Sequence, residues 1–152
     1  MPWFDGIEVS GSPAFEYRTR QAIEILGDSE AFSSVRASLD AIREGRCSGL
    51  VVERGKTIFD VGCRTSHASL IWYASAIVHD SGHAHLYRKH QRKLFGFRYT
   101  PRSAWTGIDA ERSCLRLQLS SLRSLRAGRD VIRYVESLLT HPNYQNEPDR
   151  TW

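Results

Sequence analysis

No two cysteines in this chain stand in a C-x-x-C spacing, and the three present, Cys47, Cys63 and Cys114, are odd in number. That usage argues against a disulfide framework and against a cysteine zinc site, and fits reduced thiols in a reducing compartment. Long apolar runs are lacking as well. The longest, Leu70 to Val78, is interrupted by Ser75, whereas a helix that crosses a bilayer needs roughly 20 apolar residues. The first residues, Met1 to Asp5, show no basic segment followed by an apolar one, so they do not read as a secretory signal. These absences predict a soluble, cytoplasmic protein with no membrane partner. There is no internal repeat, no low-complexity tract and no domain linker. Hydrophobic, charged and aromatic contents of 41%, 25% and 11% are ordinary for a globular chain, which excludes disorder for the bulk of it. The net charge of +4 permits an acidic partner without demanding one.

What is present predicts one α+β domain over residues 1–152, mainly helical, with a core about 12–140 and an irregular tail over 141–152. Residues 1–11 carry no clear period. Ser12-Pro13 opens a helix, with serine as N-cap and proline at the first position, and Gly27 closes it. Asp28-Ser29 caps a second helix, whose stripe Phe32, Val35, Leu39, Ile42 extends it to Gly45. The period then changes. Gly49 to Val52 and Thr57 to Val61 are β-branched and aromatic and flank the turn Glu53-Arg54-Gly55-Lys56, a β-hairpin. Thr65 or Ser66 caps the next helix, which runs to about Gln91. Residues 88–105 are basic and aromatic and read as a loop, with a short extended segment at Leu94 to Tyr99. Thr106 starts a helix that runs to about Arg126, and a last helix covers about Asp130 to Thr140. Trp152 is a candidate for docking back.

The chemistry concentrates in Val78-His79-Asp80-Ser81-Gly82-His83. Positions i and i+4 of a helix lie on one face, with Cβ atoms about 5–6 Å apart, so His79 and His83 can reach one metal ion. The pattern H-D-x-x-H is one methylene short of the H-E-x-x-H signature of zinc peptidases. Catalytic zinc takes three protein ligands and a water. Glu111 is the candidate for the third. It falls inside the apolar stripe Ile108, Glu111, Leu115, Gln118, Leu122, Leu125, and a carboxylate buried there needs a metal or a cation beside it. Gln118, on the same stripe, is placed to orient a ligand. His85 and His90 read as surface residues or as partners that orient a ligand. Against this stand blander readings: satisfied core histidines, and a salt bridge from Glu111 to an arginine.

The order of strand, helix with His79 and His83, loop and helix with Glu111 resembles the zincin metallopeptidases of gluzincin type, over roughly residues 57 to 125. Gly82 falls where that family keeps a small residue. The resemblance implies zinc, or another divalent metal, held by His79, His83 and Glu111. It implies Asp80 in the place of the family's general base, one methylene shorter, and a peptide-binding edge strand at Thr57 to Val61. The same letters are similar to the H-D-x-G-H run of HD-type phosphohydrolases. That family needs an upstream histidine, for which only His67 is available, and a later aspartate, Asp109 or Asp130, with Asp80 itself a ligand.

The leading expectation is thus a cytoplasmic, metal-dependent hydrolase, a peptidase or amidase acting on a peptide or small-molecule substrate. The alternatives are the HD-type phosphohydrolase and a non-catalytic binding module. In the last, the basic 88–105 loop would take an acidic partner or single-stranded nucleic acid, a role ranked below the metal site.

Overall fold

The computed structural model describes residues 3–141. A small mixed sheet is covered by helices, an α+β arrangement. Strands β1 (Trp3–Phe4) and β2 (Ile7–Ser10) form an antiparallel pair. Helices α1 (Pro13–Leu26) and α2 (Glu30–Ser38) follow and return the chain to β3 (Ala41–Glu44), which runs parallel to β2. Strands β4 (Gly49–Glu53) and β5 (Lys56–Val61) make the expected hairpin. The sheet order is β1-β2-β3-β5-β4. A short α3 (Cys63–Ser66) leads to the long α4 (Leu70–Lys89). Then come a second hairpin, β6 (Arg92–Leu94) and β7 (Phe97–Tyr99), the turn of helix α5 (Arg102–Trp105), and helices α6 (Ile108–Ser124) and α7 (Arg129–Thr140).

Helix α4 is the axis of the molecule. Its residues from Tyr73 to Ala84 are buried without interruption, so it shows no single apolar stripe; a helix apolar all round lies inside a fold. One side packs into a core built from Ile7, Val9, Phe15, Ile23, Val35, Ile42 and Phe59. The other side meets a second core of Leu115, Leu119, Leu122 and Val135 from α6 and α7 through Ile71 and Trp72. The start of α4 is fixed from outside. Ser69 Oγ accepts from the Trp72 N–H at 3.2 Å, and the Arg18 guanidinium on α1 donates to the carbonyls of Ser66 and Ala68 just before it. Buried Tyr73 is tied to Thr19 at 2.7 Å.

Several expectations are corrected. The second helix stops at Ser38 rather than Gly45. Leu39 is extended (φ −96°, ψ 131°), and the Asp40 carboxylate accepts from the Thr57 N–H at 2.8 Å. That contact draws the chain out of the helix and into β3, where Ile42 is buried in the sheet. Residues 3–10, read as irregular, supply β1 and β2, and Ile7 and Val9 lie in the core ahead of residue 12. The helix with the histidines is capped by Ser69, not Thr65 or Ser66, and ends at Lys89. The helix with Glu111 begins after Gly107 (φ 91°) with no side-chain cap; the Thr106 hydroxyl donates instead to the Arg102 carbonyl at 2.7 Å. Ile108 is exposed and leaves the stripe. Within residues 88–105, read as a loop with an extended segment at Leu94 to Tyr99, Arg88 and Lys89 end α4, the extended segment is part of the β6–β7 hairpin, and Arg102–Trp105 form a helical turn. Strand Thr57 to Val61 is interior, between β3 and β4, so the edge of the sheet on this side is β4. Trp152 lies outside the described residues.

Candidate metal centre

Helices α4 and α6 bring the ligand candidates together, and Gly82 is the reason they come close enough. A Cβ at Gly82 would stand 2.9 Å from Cys114 Sγ and 2.9 Å from Leu117 Cδ1 on α6. Such a contact is too short for any side chain, so only glycine permits the approach. Next to this crossing, the side chains of His79, His83 and Glu111 converge and form a buried group able to hold a metal ion. His79 Nε2 lies 3.3 Å from His83 Nε2. Glu111 Oε2 lies 3.1 Å from His83 Nε2, and Glu111 Oε1 lies 3.2 Å from His79 Nε2. A tetrahedral site with bonds of about 2.1 Å separates its donor atoms by about 3.4 Å. The three donors therefore already stand close to the corners that such a site needs.

The outer hydrogen bonds fix which ring nitrogens carry protons. His83 Nδ1 is 2.7 Å from the Trp105 carbonyl; a carbonyl can only accept, so this nitrogen is N–H. For His79 the polarity is set through a chain. The Ser75 hydroxyl donates to the Trp72 carbonyl at 2.8 Å. Its oxygen then accepts from Gln118 Nε2 at 3.3 Å. That orients the amide so that Gln118 Oε1 accepts from His79 Nδ1–H at 3.0 Å. Both imidazoles thus hold their Nδ1 protons outward, and in the neutral rings both Nε2 lone pairs face each other and the Glu111 carboxylate. Three acceptors in one buried spot repel unless a cation or a proton lies among them.

Without a metal the proton takes that part. Burial alone would raise the Glu111 pKa, but the imidazoles of His79 and His83 beside it outweigh burial and hold the carboxyl down at about 2. Burial works against a charged His83, yet its hydrogen bonds to Cys114 and Glu111 lift its pKa well above the ordinary histidine range. Cys114 is pushed up by burial and stays a thiol. Glu111 is fully buried, at 0% exposure. That excludes the reading of a solvated carboxylate paired to a surface arginine.

An open cleft leads onto this group. It is bounded by Ser48, Gly49 and Leu50 at the start of β4 and by Arg102, Trp105 and Thr106. Asp80, buried beside His79, lines this cleft and also an adjoining apolar cavity walled by Phe59, Trp72, Ala76, Leu115 and Leu138. The remaining candidates lie elsewhere. His67 ends α3, with its Nδ1 2.9 Å from the Cys63 carbonyl. Asp109 is exposed and Asp130 lines a separate surface depression with Tyr134. His85 and His90 are exposed. An HD-type ligand set is therefore not assembled among the described residues. Sequence reasoning missed Ser75, the Trp105 carbonyl and the β4 rim. A backbone carbonyl leaves no mark in sequence, whereas Ser75 sits one turn before His79 and was readable. Comparison with protein-family models, with curated proteins and with solved structures finds no match for this chain.

Proposed function

We propose that His79, His83 and Glu111 hold a zinc ion in a zincin-like hydrolase that cleaves a peptide or amide bond. The observation that carries the reading is the convergence of two Nε2 lone pairs and a carboxylate at 3.1–3.3 Å, with both Nδ1–H groups tied outward. Three protein ligands, rather than four, is the number that catalytic zinc sites use, with the remaining position facing substrate. Here that side is the cleft bordered by β4 and Arg102.

Zinc in such a position polarises a carbonyl and activates water for attack. The chain's own groups supply the rest. Asp80, buried at the mouth of the ligand group, takes the proton from the attacking water and passes it to the leaving nitrogen. The free edge of β4 offers backbone N–H and C=O groups to an extended substrate, as exposed sheet edges do. On this reading the peptide-binding strand is β4, one position outward of the strand expected from sequence. Buried Glu111 and the apolar wall behind Asp80 keep bulk water from the ligands.

The test is cleavage of a mixed peptide library by zinc-loaded protein, read by mass spectrometry. Cleavage is expected, lost in His83→Ala, and slowed about 100-fold or more in Asp80→Ala, the usual share of a general base. A fully loaded protein that leaves every peptide intact, or an Asp80→Ala variant as fast as the parent, would overturn the hydrolase reading and leave the metal group as a staple between α4 and α6.

A further inference from the structure

From Arg88 to Ile108 the chain carries Arg88, Lys89, Arg92, Lys93, Arg98 and Arg102 and not one aspartate or glutamate. Much of this stretch is the β6–β7 hairpin, every residue of which is exposed. Its register places Lys93 directly opposite Arg98, Leu94 opposite Phe97 and Arg92 opposite Tyr99. Opposite residues share a face of a ribbon and their neighbours along the strand take the other. One face therefore carries Lys93 and Arg98 side by side, a like-charge pair that destabilises an isolated hairpin. The other carries Arg92, Leu94, Phe97 and Tyr99. Phe95, at the turn with Gly96, is 91% exposed and Phe97 is 77% exposed. Rings this bare contribute little to the core.

The charged face has a counterpart. Arg98 lines an open groove together with Arg54, Lys56, Arg88 and Tyr87. The acid among its lining residues is Asp40, and its carboxylate is taken up by Arg88 at 2.8 Å and by Thr57. Lys56 has Glu8 only at 3.9 Å. Among the described residues the groove thus keeps an excess of positive charge, and the bare Phe95 ring lies at the turn three residues before Arg98. The Tyr87 ring meets Trp105 edge to face at 5.7 Å, and Trp105 borders the metal cleft, so the groove and the cleft are neighbours.

We propose that this groove binds the sugar–phosphate backbone of a single-stranded nucleic acid, with Phe95, at the hairpin turn and so tied to neither face, stacking a base beyond its end. Phosphates at successive nucleotides match cations spread along a concave channel. A single strand presents a base face to an exposed ring, and a duplex hides it. A lipid surface is flat and would not engage cations set inside a groove. The inference is independent of the hydrolase reading, because none of these residues belongs to the ligand group.

The test uses the full chain and a fluorescent oligothymidylate of about 15 nucleotides, read by anisotropy. Binding is expected. Three phosphates neutralised by Arg54, Lys56 and Arg98 would weaken it about 20-fold between about 50 mM and about 200 mM salt. The Lys93→Glu, Arg98→Glu double variant, both positions exposed, should fold as the parent does and lose at least about tenfold in affinity. Phe95→Ala should lose about fivefold or more. His83→Ala should bind as the parent does, which separates this result from the fate of the metal site. No binding at the lower salt would overturn the proposal. So would tighter binding of the matching duplex, retention on anionic-lipid vesicles without oligonucleotide binding, or a double variant that binds as well as the parent.

Discussion

His79 donates its Nδ1–H to Gln118 Oε1 across 3.0 Å, and this one contact decides what the rest of the imidazole can do. With Nδ1 committed, the Nε2 lone pair is turned toward His83 and Glu111. Gln118 lies two turns beyond Glu111 on α6, so the helix that supplies the carboxylate also sets the tautomer of a histidine on α4.

Replacing Gln118 by leucine keeps the volume and removes the acceptor. Metal affinity should fall about 10- to 100-fold, the usual cost of losing a partner of a ligating histidine. Ser75→Ala, which frees the amide to rotate, should show a smaller loss in the same direction. Competition with a chromophoric chelator measures both.

Metal uptake should release a proton. At pH 7 the His83 pKa stands above the ordinary histidine range and Glu111 is ionised, so a metal must displace a proton from the imidazole. Titration calorimetry in buffers of different ionisation enthalpy should give close to one proton per metal at pH 7, and affinity should rise with pH.

Stability of the metal-free protein follows from the same two groups. Glu111 is depressed, so its contribution is present above the unfolded carboxylate pKa of about 4.3 and is lost as pH falls through about 2. His83 is raised, so its contribution is present below the unfolded value of about 6.5 and is lost as pH rises through the folded one. The metal-free protein should be most stable between about pH 4.5 and 6.5. The gain in Tm on adding zinc should widen from pH 6 to pH 8, and Glu111→Gln should remove the acid arm of the curve.

Gly82→Ala should push α6 away from α4, because the new Cβ meets the short, buried Cys114 side chain at 2.9 Å. Overpacking of this kind costs about 1–3 kcal/mol. Cys114→Ala in the same chain should recover part of that loss. Urea unfolding of the two singles and the double measures the coupling.

Much of this was legible in the sequence, for physical reasons that differ by element. The i, i+4 histidines and the acid inside an apolar stripe are local patterns, and a buried carboxylate has few ways to be satisfied. Ser12-Pro13, Ser29 and the hairpin turn carry their own stereochemical signatures. The stripe from Phe32 to Ile42 misled because Leu39 and Ile42 are buried for a different reason: the Asp40–Thr57 contact converts a helical period into a buried strand. Ile7 and Val9 alternate with Glu8 and Ser10, but four residues are too few to announce a strand. That β5 is interior and β4 the edge depends on the parallel pairing with β3, a long-range choice no local window contains.

The most direct measurement is metal content of protein purified without a histidine tag and equilibrated with zinc. One equivalent per chain is predicted, absent from His83→Ala and from Glu111→Ala. Less than a tenth of an equivalent in the parent would mean that the two rings and the acid share only protons.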